Sequence, residues 1–245
     1  MERIICIIPA RLNSSRLHKK ILCDLQGKPL IQWTWEAASA VSLFDSVVIA
    51  VDAPETAALV RSFGADYVMS SENCSNGTMR IAEVIDRYPV KAEIIVNWQG
   101  DEPFLSEEMI AKVVSSISEE KSDIWTLKKR IELSEASSPD LVKVVTNQEG
   151  YALYFSRAPI PYIAPHTSLQ EVPYYRHIGL YAYRKSVLQK LRSLPVALLS
   201  EIEQLEQLTF LYYGWNVKVH ETHLESLSID TFQDLERASL FLTKK

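Results

Sequence analysis

Three short apolar runs govern what this chain can fold into. Ile4-Ile5-Cys6-Ile7-Ile8, Val47-Val48-Ile49-Ala50-Val51 and Ile94-Ile95-Val96 are β-branched and do not alternate with polar residues. Such runs read as strands covered on both faces. Strands are predicted over residues 3–8, ended by Pro9, over 46–51, 66–69 and 94–97. Helical patterns lie between them. Leu30, Ile31, Trp33, Trp35, Ala37, Ala38 and Val41 give residues 30–42 a broad apolar face. Further helices are predicted over 54–63, 78–87 and 106–117, the last opened by an imperfect capping box at Ser106. This alternation implies a parallel sheet with helices on both faces.

The second half has a different rhythm. Residues 141–146 and 151–155 flank Asn147-Gln148-Glu149-Gly150, which is a hairpin signal. Pro159, Pro161, Pro165 and Pro173 then punctuate an irregular stretch. A strand is predicted over 176–184, helices over 185–191 and 200–213, a strand over 217–221 and a last helix after Asp230-Thr231. The expected organisation is one domain over residues 1–245 with an inserted arm at about 148–175. That arm is too small and too proline-rich to bury a core of its own.

Composition removes several classes. A chain of 245 residues with 47% hydrophobic content can bury a sizeable core. The net charge of −5 argues against a sequence-independent nucleic-acid binder. Cys6, Cys23 and Cys74 are widely spaced and show no zinc pattern, so free thiols in a reducing cytoplasm are expected. No apolar run approaches the roughly 18 residues of a membrane span, and the N-terminus is too short of apolar residues for a secretion signal.

Two stretches carry the chemistry. The loop after the first strand, residues 9–20, holds Arg11, Arg16, Lys19 and Lys20 together with Asn13, Ser14 and Ser15. In a parallel sheet ligands bind beyond the carboxyl ends of the strands. Cations and short donors at that position suit phosphate oxygens. A solvated basic loop would carry the same residues, and only position favours phosphate. The loop lacks the glycine patterns of a dinucleotide site or a P-loop, and the whole chain has seven glycines. The second stretch is Gly100-Asp101-Glu102-Pro103, where an apolar strand surfaces. A carboxylate there suits a hard cation shared with phosphate, although a plain turn would look alike. Asp230, before the last helix, is open to two readings: a helix cap or a second carboxylate for the same cation.

Seven stretches occur in an order that resembles one family. They are "IIPAR" with "SSRL", "NGTMRIAEV", "VNWQGDEP", "EGYALYFSRAPIP", "RHIGLYAYR", "LEQL" and "IDTFQDLERA", spread over residues 4–239. Together they resemble the 3-deoxy-manno-octulosonate (Kdo) cytidylyltransferases. The resemblance implies a mixed, mostly parallel α/β nucleotidyltransferase fold, Rossmann-like and GT-A-like, with a small dimerisation arm. It implies a cytoplasmic homodimer that uses Mg²⁺ and takes CTP and Kdo to CMP-Kdo and pyrophosphate for lipopolysaccharide synthesis. No nucleic acid and no membrane insertion are expected.

Carried over by resemblance, Pro9, Ala10, Arg11, Gly77, Thr78 and Arg80 are nucleotide-binding. Arg16, Lys20 and Asp101 are catalytic, and Asp101 and Asp230 hold the metal. Gln99, Arg157, His177, Tyr181, Glu206 and Gln207 line the sugar-acid pocket. The chain departs from the family at His18, Lys19 and Ile21, at Asn76 and Met79, and at Ser228 and Phe232. The first set bears on which lysine, Lys19 or Lys20, meets phosphate. Sister enzymes for other acidic sugars, a GT-A glycosyltransferase and a non-catalytic nucleotide sensor are the alternatives.

Overall fold

The computed structural model describes residues 2–14, 16–165 and 173–243. It is mixed α/β, with mostly parallel strands flanked by helices. The elements in chain order are β1 (Ile4–Ala10), β2 (Asp24–Leu25), β3 (Lys28–Pro29), α1 (Leu30–Ser39), β4 (Ser46–Val51), α2 (Pro54–Ser62), β5 (Tyr67–Met69), α3 (Gly77–Arg87), β6 (Ile94–Asn97) and α4 (Glu107–Val114). Then come β7 (Ile124–Ile131), α5 (Leu133–Ala136), β8 (Lys143–Thr146), β9 (Ala152–Ser156), β10 (Tyr174–Arg184), α6 (Lys185–Leu191), α7 (Leu198–Glu203), α8 (Gln207–Tyr212), β11 (Val217–Glu221) and α9 (Phe232–Thr243).

Contacts gather into two compact units. One holds the chain up to Ala111, Tyr183–Ser193 and the residues from Glu225 onward; the other holds Lys112–Ala182 and Leu194–Leu224. The expected arm at about 148–175 falls within the second unit, and its residues 166–172 lie outside the described ones.

In the first unit β6, β1, β4 and β5 are neighbours in that order and all parallel. All seven residues of β1 are buried, which is why its sequence is a continuous apolar run. The strand does not stop at Pro9. It continues to Ala10, with Pro9 opposite Ala50 of β4. Proline tolerates this position because β6 has already ended at Asn97. Ile7 on the same edge gives the last carbonyl, to the Trp98 N–H at 3.3 Å, so no ladder bond is lost at Pro9.

In the second unit β11 pairs with β7 in parallel, and β8 pairs with β10 and β9 antiparallel. The hairpin β8–β9 turns where the sequence predicts it. Gly150 closes the turn at a φ of 81°, a left-handed conformation that suits glycine. Several elements differ from the sequence expectation, and α5, like the short strands β2 and β3, has no predicted counterpart. Strand β7 has no predicted counterpart; its apolar start, Ile124-Trp125-Thr126-Leu127, is followed by Lys128-Lys129-Arg130, which breaks any simple period. The helix predicted over 200–213 is two helices, α7 and α8. Gln204 adopts a left-handed φ of 54° and ends the first, and Leu205 is buried after it.

Candidate active site

The carboxyl ends of β1, β4 and β6 emerge on one edge of the first unit, because the three strands are parallel. A cavity of about 250 Å³ opens there. Pro9, Arg11, Ser14, Arg16, Lys20, Asn76, Gly77, Arg80, Gln99, Asp101 and Asp230 are in its wall. Nearly all the nucleotide, metal and catalytic residues expected from the sequence are thus together.

The two aspartates meet around a cation. Lys20 Nζ donates to Asp101 Oδ2 in a very short contact and to Asp230 Oδ1 at 2.8 Å. Arg16 also pairs with Asp230 Oδ1, at 2.9 Å. Burial alone would push the Lys20 ammonium down, but the charges and hydrogen bonds of Asp101 and Asp230 hold it above its ordinary value. The departures in the first loop leave this arrangement intact. Lys19 turns elsewhere, to both oxygens of Glu55 at 2.8 and 2.9 Å, so Lys20 is the loop lysine at the site.

The chain brings Asp230 back to Asp101 by packing. The Ile229 N–H donates to the Asp101 carbonyl at 2.9 Å. Ile229 is fully buried with Leu25, Leu30 and Ala238, against Trp33, Phe104, Leu227, Leu235 and Leu242. Asp230 is not the cap of α9. Thr231 and Asp234 cap that helix reciprocally, with the Thr231 N–H on Asp234 Oδ2 at 2.9 Å and the Asp234 N–H on Thr231 Oγ1 at 3.2 Å. The Asp230 carboxylate therefore remains at the cavity.

Helix α3 supplies the opposite wall. Asn76 Oδ1 accepts from the Met79 N–H at 2.8 Å, so the departure from the family at position 76 keeps the cap. Its N-terminal end lies at the cavity, where the helix dipole favours an anion. A Cβ at Gly77 would stand 3.0 Å from the Pro9 ring and 3.1 Å from Gln99 Oε1; only glycine fits without displacement.

Some expected residues are placed differently. Ala10 and Thr78 are buried behind the cavity and not in its wall. Thr78 Oγ1 accepts from Asn97 Nδ2 at 3.3 Å, so its side chain faces the interior. Gln99, expected on the sugar acid, is in the wall of this same cavity and donates to Asn97 Oδ1 at 3.2 Å. Arg80 is in the wall but nearly buried, paired with Asp52 at 2.9 Å. Asp52 was invisible to sequence reasoning; its only signal is an acid at the end of a buried strand. Ser15 lies outside the described residues. Glu102 is buried and absent from the wall.

The remaining sugar-acid residues belong to the second unit. The His177 and Tyr181 rings are tilted at 48° with centroids 5.3 Å apart, and Phe155 meets His177 and Phe210 meets Tyr181 edge-on. His177 Nε2 lies 2.9 Å from Thr126 Oγ1. Desolvation pushes the His177 pKa down to about 3, so the ring is neutral. Gln207 is buried in α8, next to Glu206 at its start. Arg157 is tied to backbone carbonyls. Its Nε donates to the Glu203 carbonyl at 3.0 Å, NH1 to Pro139 O at 2.9 Å and NH2 to Gln204 O at 3.4 Å. These carbonyls include the end of α7, where a cation is favoured. These bonds tie Arg157 to the chain around α7 through three of its five N–H donors.

A sheet edge with a cationic loop, a helix N-terminus and two converging aspartates defines a nucleotidyltransferase. A family model described as cytidylyltransferase matches residues 5–227. A relative from Aliivibrio fischeri, "3-deoxy-manno-octulosonate cytidylyltransferase", is 42% identical over 97% of this chain and 98% of its own. One of the same description from Porphyromonas gingivalis is 39% identical over 98% and 96%. The solved structure of a CMP:2-keto-3-deoxy-manno-octonic acid synthetase complexed with CTP matches with a TM-score of 0.92 at 36% identity, covering 99% of each chain. The chain belongs to the 3-deoxy-manno-octulosonate cytidylyltransferase family.

Proposed function

We propose that this chain transfers CMP from CTP to the anomeric hydroxyl of Kdo, giving CMP-Kdo and pyrophosphate, with Mg²⁺ held by Asp101 and Asp230. The observation that carries it is the sharing of one ammonium by both carboxylates. A position between two carboxylates suits a cation. A hard divalent ion takes carboxylate oxygens together with those of a triphosphate. Asp101 and Asp230 would hold such an ion, and it would supply Lewis-acid activation of the attacking hydroxyl and charge neutralisation at the α-phosphate.

The chain's own residues do the rest. Arg16 and Lys20 exchange their carboxylate partners for phosphate oxygens and offset the charge that develops on pyrophosphate. Arg11 and the N-terminal end of α3 receive the nucleotide, and Gly77 lets it approach the backbone. Phosphoryl-type transfer needs alignment and charge neutralisation more than a protein nucleophile, and none is assigned. His177, neutral and hydrogen-bonded, orients a hydroxyl and does not move a proton.

The cytoplasm and a homodimer belong to the same reading. All three cysteines are free, and no helix among the described residues is long and apolar enough to cross a membrane. Val196, Leu198 and Ile202, on and before α7, are exposed at 71, 60 and 68%. Such a patch favours burial against a second subunit. Sedimentation of Ile202→Lys should give the monomer mass where the unaltered chain gives the dimer.

The function is tested by mixing CTP and Mg²⁺ with Kdo, an amino-Kdo and a sialic acid and measuring pyrophosphate. Release with Kdo is expected; release with a sialic acid but not with Kdo would reject the proposed acceptor.

A further inference from the structure

The buried carboxylate of Asp52 has no part in the chemistry above. It follows β4 as Asp101 follows β6, and β1 runs between those two strands. The two aspartates therefore flank the point where the first loop leaves the sheet. Asp52 Oδ1 accepts from the Leu12 N–H at 2.9 Å, one residue after Arg11. Its other oxygen accepts from Arg80 NH2 at 2.9 Å.

The pair is nearly closed off from solvent, with Asp52 at 9% and Arg80 at 2% exposure. Burying two charges is costly unless geometry and further hydrogen bonds offset it. An anchor for one N–H needs no charge at all; asparagine or serine would serve. The guanidinium explains the charge. Its NH1 donates to Ser70 Oγ and to the Ser71 carbonyl. With the Asp52 contact, three of its five N–H donors are used. Two are left among the described residues, on a side chain in the cavity wall.

We infer that Asp52 is a positioning residue for the nucleotide. It holds the Arg80 guanidinium in the cavity wall with donors to spare, and it fixes the first turn of the loop that carries Arg11 and Arg16. The inference rests on the proposed CTP reaction and deepens it: Asp52 acts on the binding of CTP, through Arg80, and not on the acceptor.

Asp52→Asn tests this. The amide keeps an acceptor for Leu12 and nearly the same volume, but loses the charge facing Arg80. The KM for CTP should rise about tenfold, equivalent to about 1.4 kcal/mol, while kcat and the KM for Kdo change less than about threefold. In an Arg80→Gln background the same substitution should add less than about twofold to the KM for CTP. A merely structural Asp52 would lower the melting temperature and the active fraction and leave the KM for CTP unchanged; that result overturns the inference. If Asp52→Asn does not fold, the double variant Asp52→Asn/Arg80→Gln leaves no buried charge unpaired. There a KM for CTP that is raised and stays within about twofold of that of Arg80→Gln alone supports the inference, and one that is unaltered or rises further overturns it. Absence of CTP-dependent pyrophosphate release by the unaltered chain would instead overturn the functional reading, and this inference with it.

Discussion

The cavity of the first unit and the polar cluster of the second both gather cations, but on different terms. At the cavity, Arg16 and Lys20 are held by carboxylates of Asp101 and Asp230, at positions still partly exposed. In the second unit, Arg157 gives its guanidinium donors to backbone carbonyls. Lys143, fully buried, does the same with its ammonium, to Ser138 O at 2.8 Å and Leu141 O at 2.7 Å. The difference decides which cations a ligand can recruit. A partly exposed ion pair contributes little net stability, so phosphate can replace one partner. Around Lys143, a carbonyl that loses its buried donor costs about 1–3 kcal/mol, so that cation stays where it is; the Arg157 bonds are more exposed and hold less firmly.

The largest stability effect is expected where the cavity depends on the core. Ile229→Ala should cost about 2–5 kcal/mol and reduce turnover more than substrate affinity, because the tether between Asp101 and Asp230 loosens. Urea denaturation and pyrophosphate release measure the two effects. Wild-type turnover in a destabilised variant would show that the backbone bond alone holds the aspartates. Next, Arg157→Gln should lower stability by about 0.5–1.5 kcal/mol with the KM for Kdo unchanged. A raised KM with unchanged stability would place Arg157 on the ligand and erase the contrast between the two units.

The effect of His177 appears only on acidification. Its pKa is about 6.5 unfolded and about 3 folded. Below pH 6.5 the unfolded chain takes up a proton that the folded ring refuses. Its contribution is therefore full above that pH and is lost as pH falls toward about 3, by up to about 1.4 kcal/mol per unit. Urea midpoints at about pH 7.5 and about pH 5 should fall further in the unaltered chain than in His177→Gln. Equal falls would show that the folded ring titrates normally.

The contrast also explains what the sequence disclosed. Strands β4, β6 and β11 were legible to the residue, β6 because a fully covered strand is apolar throughout and β4 and β11 because their β-branched residues stop at clear boundaries. Pro9 misled because its tolerance depends on where β6 ends, a property of a neighbour 90 residues away. The break at Gln204 carries no glycine or proline and is fixed by tertiary contacts, including the Arg157 bonds to the carbonyls it exposes. Strand β7 was hidden by its basic second half. The convergence of Asp101 and Asp230 has no spacing signal; family resemblance indicated it, and the packing of Ile229 accounts for it physically. Asp52 escaped because its meaning lies in Arg80 and Leu12, which no local pattern links to it.

Binding of Mn²⁺ in the presence of CTP, followed by electron paramagnetic resonance, tests the centre of the account most directly. The unaltered chain should bind the ion, and Asp101→Asn and Asp230→Asn should each weaken binding at least about tenfold, within the range that altered metal sites show, without loss of fold. Wild-type Mn²⁺ affinity in both variants would contradict it.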